Sequence, residues 1–78
     1  MVDSDTVVET ASEAAHGYVF SRLKKSDVED IDVTVSFEDQ VLEVDVSILA
    51  PEVEADLERI ADDAARAAGN AVDDLFEQ

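Results

Sequence analysis

"IDVTVSFEDQVLEVDVSI", residues 31–48, is the stretch on which the fold turns. Apolar side chains recur at every second position on both sides of Asp39-Gln40, with acids and hydroxyls between them. Successive side chains of a strand point to opposite faces, so this alternation reads as two half-buried strands, about 31–38 and 41–49. A two-residue turn at Asp39-Gln40 pairs Glu38 with Val41, Phe37 with Leu42, Val35 with Val44, Val33 with Val46 and Ile31 with Ile48. One face is then apolar, and the other carries Asp32, Thr34, Ser36, Glu43, Asp45 and Ser47. A slip of one residue would exchange the two faces, so the register is strongly specified. Gln at positive φ is strained, which leaves a three-residue loop with a bulge as an alternative.

Working outward, residues 4–24 read as an amphipathic helix. Ser4 or Thr6 serves as its cap, and Thr6-x-x-Glu9 has capping-box spacing. Val7, Val8, Ala11, Ala14, Ala15, Tyr18 and Val19 fall on one stripe, and Glu9, Ser12, Glu13 and His16 on the opposite side. Arg22, Lys24 and Lys25 suit the carbonyl end of the helix dipole. Gly17 costs about 1 kcal/mol against Ala inside a helix, which suggests a close approach by another backbone. After the hairpin, Pro51 at the first position starts a helix over about 51–76. Its stripe runs Val53, Leu57, Ile60, Ala61, Ala64, Ala67, Ala68, Ala71, Val72 and Leu75, and its alanine-rich middle permits close packing. Arg59 and Arg66 stand at ion-pair spacings from Asp62 and Asp63.

Residues 1–78 are thus expected to form a single α+β domain, an α-β-β-α two-layer arrangement with both helices on one face of the antiparallel hairpin. At this length the core is marginal, and there is no cysteine to staple it. An isolated pair of strands leaves two open edges. The economical completion is a second copy or a related chain, pairing edge to edge into a four-stranded sheet across a dimer. A monomer with edges covered by helix ends or by residues 25–30 is the alternative.

Charge is the loudest feature. Twenty-one Asp and Glu face five Lys and Arg, for a formal charge of −16. With 46% hydrophobic residues and clean periodicity, the chain is nonetheless a folding sequence. High Asp, lysine only at positions 24 and 25, and abundant Ala and Val look like a protein from a salt-in haloarchaeon. Most of the acid then answers to solvent, and a single acidic patch says little about function. The opening "MVDSDTVVE" has neither a basic nor an apolar leader pattern, and the apolar runs are too short for a membrane span. A cytoplasmic chain with no membrane partner is expected.

Catalytic and cofactor chemistry is sparse. Glu13-Ala-Ala-His16 has the Glu-x-x-His spacing of di-iron bundles, with Glu9 one turn earlier, but such sites need two motifs and more carboxylates. Metal binding by Glu9, Glu13 and His16 therefore enters only as an alternative that works across a dimer. Arg22, Lys24 and Lys25 form the one basic cluster; RNA binding through them is a second alternative, against which stands the field of the acids. No catalytic, cofactor or metal residue is assigned, and neither an enzyme nor a nucleic-acid binder is expected. Phe20, Leu23 and Phe76 fall off the main stripes, so they either mark a partner surface or pack under the hairpin ends.

The stretches "ASEAAHGYVFSRLKKSDVEDIDVTVSFEDQVLEVDV" and "ERIADDAARAAGNAVDDLFEQ" resemble a small uncharacterised archaeal family, a domain of unknown function encoded near the prefoldin beta subunit. The hairpin and alanine-rich helix also look like the small dimerisation subunit of the KEOPS complex, which modifies tRNA, although this chain begins with a helix where that subunit has a strand. The open edges and the lack of a catalytic signature point to a non-enzymatic interaction protein, a homodimer or heterodimer in a larger cytosolic assembly, and the resemblance adds to this a link to translation or tRNA modification.

The charge carries a test of its own. Self-repulsion of the carboxylates predicts a thermal midpoint that rises from about 0.1 M to about 2 M KCl as screening tightens. Calorimetry over that range checks it, and a flat or falling midpoint contradicts it.

Overall fold

A computed structural model of the chain describes residues 3–77; Met1, Val2 and Gln78, part of the expected 1–78 span, lie outside them. The element order is α1 (Ser4–Arg22), β1 (Asp30–Glu38), β2 (Val41–Leu49) and α2 (Leu57–Phe76). The strands form a two-stranded antiparallel sheet whose register matches the expected pairing at every position, from Ile31 with Ile48 to Glu38 with Val41. Asp39 and Gln40 make the turn with φ of 50° and 64°, both in the left-handed region. That is the two-residue turn whose twist suits a hairpin, and the three-residue alternative is not adopted.

Both helices lie on the apolar face. α1 packs on β1, α2 packs on β2, and the helices pack on each other. The seam between them is built from Val7, Ala11, Ala15 and Val19 of α1 against Ala64, Ala68 and Val72 of α2. Spacing of four residues drifts by about 40° per step around a helix, so each buried stripe winds across its helix face. Val8, Ser12, His16 and Phe20 flank the α1 stripe on one side and are only half-buried. Ser12 and His16, expected on the solvent side, thus sit at the margin of the core. Below the seam, Ile31, Val33, Val35 and Phe37 of β1 and Leu42, Val44, Val46 and Ile48 of β2 pack against it but also remain half-buried. Two helices and two strands are too few to surround that face.

Several local expectations are corrected. Asp3, not Ser4 or Thr6, caps α1, its carboxylate accepting the Thr6 amide at 2.8 Å. The Thr6 amide, and after it the Thr6 hydroxyl, hold the Asp3 carboxyl below its ordinary range. α2 begins at Leu57 rather than Pro51, because Asp56 caps it by accepting the Arg59 amide at 3.2 Å. Pro51 instead lies in a turn closed by the Val53 amide on the Ala50 carbonyl, 3.1 Å away. Lys24 and Lys25 lie past the end of α1, and only Arg22 stands in its last turn. Gly17 faces solvent, and a Cβ built there meets nothing within 4 Å, so no backbone approaches it.

The strained turn makes a prediction. Gln40→Gly relieves a left-handed non-glycine residue at some entropic cost in the unfolded chain, for a net gain of about 0.5–1 kcal/mol. Denaturant unfolding in molar salt measures it, and a loss of stability contradicts it.

Candidate interaction surface

Hairpin geometry decides which backbone groups face outward. A two-residue turn makes Glu38 and Val41 a hydrogen-bonded pair, and alternation makes Ser36–Glu43, Thr34–Asp45 and Asp32–Ser47 further such pairs. The N–H and C=O groups of Leu42, Val44, Val46 and Ile48 therefore point away from β1, and those of Val33 and Val35 away from β2. Among the described residues no strand pairs with either outer edge, and no loop or cap hydrogen bond reaches one. The two strands expose two backbone edges.

General helix and strand spacings favour a helix layer that reaches past the strand edges. Packed helix axes lie roughly 8–10 Å apart, but paired strands lie about 4.8 Å apart. With α1 over β1 and α2 over β2, each helix axis stands roughly 2 Å outboard of its strand. A further strand, about 4.8 Å beyond β2, would run beneath the outer half of α2, whose radius with side chains is about 5–6 Å. Each edge thus has room under its roof for one strand. A second copy paired there with its helices on the same face would place its nearest helix axis almost on α2 itself. By these dimensions the expected four-stranded dimer sheet would fit more readily between copies with reversed faces.

Side-chain placement distinguishes the two roofs. Tyr18 donates its hydroxyl to Asp63 on α2 at 3.3 Å, so the flank of α1 bearing Ala14 and Tyr18 turns toward α2. Val8, Ser12, His16 and Phe20 fall on the opposite flank, by β1. On α2 the flank with Asp63, Ala67 and Ala71 turns toward α1, which leaves Ala61, Ala65 and Gly69 on the side of β2. Gly69 is half-buried, and a Cβ built on it meets nothing within 4 Å. Val41 and Leu49, at the two ends of β2 on the polar face of the sheet, are 58% and 51% exposed, and Phe76 at the end of α2 is 49% exposed.

The residues singled out in the sequence separate. Leu23, at 8% exposure, belongs to the core, so packing under the hairpin end accounts for it. Phe20 is half-buried with the Lys25 ammonium 5.6 Å from its ring centroid. Phe76 stays exposed beside Phe37, ring centroids 6.0 Å apart. Arg22 lies over the Tyr18 ring at 5.3 Å, so two members of the basic cluster rest on aromatic faces. Glu9 and Glu13 point into solvent. His16 Nδ1 lies 2.8 Å from the Ser12 carbonyl, which requires a proton on that nitrogen and leaves only Nε2 free. Among the described residues no three His, Asp or Glu side chains gather as a metal site. Leu49, Ala65 and Gly69 went unremarked in the sequence and Val41 entered only as the partner of Glu38, although two apolar residues closing the polar phase of β2 were a visible signal.

One cleft, of about 450 Å³, opens between the end of α1 and the start of α2, lined by Tyr18, Arg22, Ala55, Asp56, Arg59, Ile60 and Asp63. Its carboxylates are engaged. Asp56 caps α2, and Asp63 takes the Tyr18 hydroxyl and a 3.5 Å ion pair from Arg66, one of the pairs expected from spacing. The cleft is lined by two guanidiniums and two carboxylates, so its charge balances and it favours no anion.

With this geometry in hand, the chain can be set beside known proteins. Residues 2–78 match the family described as "Protein of unknown function (DUF3194)". The chain belongs to that family. An uncharacterized protein of Natronomonas pharaonis, a haloarchaeal relative, is 50% identical over 74 residues, covering 95% of this chain and 88% of that one. A crystal structure from Thermococcus onnurineus superposes with a TM-score of 0.77 at 27% identity, covering 99% of this chain and 82% of that chain. The solution structure of the hypothetical protein mth677 from Methanothermobacter thermautotrophicus gives 0.71 at 23% identity, covering 99% and 91%. These neighbours share the small α+β fold of the DUF3194 chain. No helix among the described residues is long and apolar enough to cross a membrane.

The cross-helix bond offers a check on the packing that fixes the flanks. Tyr18→Phe removes a partly exposed hydrogen bond and is expected to cost about 0.5 kcal/mol in denaturant unfolding. An unchanged midpoint would mean that Tyr18 and Asp63 do not meet in solution.

Proposed function

We propose that the chain is a non-enzymatic protein-interaction subunit whose open sheet edge is completed by another polypeptide, as a homodimer or heterodimer in a larger assembly. The observation that carries this reading is the pair of outer strand edges that have no partner among the described residues. An open edge is a template for strand addition, and the acids on the back face discourage sheet stacking without capping the edge. The half-buried Val and Ile side chains of the hairpin favour the same outcome, since an added strand would take more of their surface from water. Likeness to the small subunit of KEOPS motivates the narrower reading that the assembly serves translation or tRNA modification.

Size in undiluted extract tests the proposal. A tagged chain in its native high-salt cytoplasm is expected to elute well above its own 8.4 kDa mass. Elution as a free 8.4 kDa chain, both in extract and purified at concentrations well above micromolar, contradicts it.

A further inference from the structure

We infer that the docking edge is β2 beneath α2, and that its occupant is an extended segment of a partner protein with apolar residues at alternate positions and Lys or Arg between them. This rests on the edge reading above and names the edge and the chemistry of the occupant.

The two overhangs are not equivalent. Beside β1 the flank of α1 carries Val8, Ser12, His16 and Phe20, of which His16 and Phe20 are large. Beside β2 the roof is Ala61, Ala65 and Gly69, and the volume a Cβ would take at Gly69 borders open space. Small side chains on the roof leave room for the apolar side chains of an added strand. The exposed large apolar residues of the sheet, Val41 and Leu49, both belong to β2, one at each end of this edge, whereas Phe76 of α2 lies beside Phe37 of β1. Scattered apolar residues need no explanation, but here Val41 and Leu49 bracket one backbone edge.

The partner's chemistry follows from the faces. Strand addition supplies affinity through the main chain and specificity through alternate side chains. Inward-pointing residues of the added strand would lie under Ala61, Ala65 and Gly69 and extend the apolar face of the hairpin. Outward-pointing residues would stand beside Glu43 and Asp45, where opposite charge is favoured and like charge is not. A second copy on the same face would bring its own acids to that row and its helices against α2, and a copy with reversed faces would set its acids beneath the apolar Ala61, Ala65 and Gly69. A single basic-apolar segment meets both constraints.

The experiment is an NMR titration of the nitrogen-15-labelled full chain in about 0.5 M KCl, where contact pairs outlast long-range fields. The probe is a nine-residue synthetic peptide alternating valine and lysine, with a proline-centred peptide of otherwise equal composition as control. Saturable shifts are expected at the amides of Leu42, Val44, Val46 and Ala65, and none with the control. Ala65→Leu, which fills the overhang, is expected to weaken binding at least about tenfold, and Ser12→Leu on the other roof to leave it unchanged. Should Ala65→Leu perturb the fold, the exposed pair Glu43→Lys with Asp45→Lys is expected to weaken binding instead. Shifts centred on β1, equal binding of the control, or self-association of the free chain through β2 overturns the inference. The first and last of these leave the interaction reading standing, whereas a chain monomeric in extract removes both.

Discussion

Two packed helices are wider than two paired strands. That mismatch of dimensions, about 8–10 Å between helix axes against about 4.8 Å between strands, governs the rest of the molecule. The helices meet through a seam of valine and alanine, whose small side chains allow a short axis separation. Each helix is left with an outer flank that has no strand beneath it. Each strand is left with an edge that has no partner among the described residues. A fold of this kind holds together through the seam and the hairpin ladder, and its sheet remains incomplete.

The consequence for stability is a thin core. Val7 and Val19 are the largest side chains wholly removed from water, and the apolar row of the hairpin is half-buried throughout. Among the described residues no polar side chain is buried, so the core contains no polar network that would add specificity. The acids lie outside, where they govern solvation and leave the packing alone. The added strand proposed for β2 would bring to this face the burial that so short a chain lacks, which ties the interaction to the physics of the fold.

Legibility in the sequence followed the strength of the period. The hairpin register could be read in full, because a two-residue period with one buried face admits no slip. Both helices were legible as stripes, but their ends were not. Pro51 and Ser4 are good starting residues, yet Asp56 and Asp3 each lay in reach of an amide three residues on, and that local hydrogen bond set the boundary. Gly17 was misread because a glycine marks permission, and only the fold shows that nothing approaches it. The flanks of the helices could not be read at all. Which side of α2 faces α1 depends on Tyr18 meeting Asp63, a contact between distant residues. The solved neighbours share the fold, and the open edges of this chain's two-stranded sheet follow from its having no third strand among the described residues.

Amide hydrogen exchange resolved by residue, on the dilute purified chain and again with the chain in its native extract, addresses the incomplete sheet most directly. In isolation the outward amides of Leu42, Val44, Val46 and Ile48 should exchange far faster than the ladder amides of Glu43, Asp45 and Ser47, and they should slow in the extract. Equal protection of both sets in the dilute chain would mean that the edge is already closed, and would contradict the account.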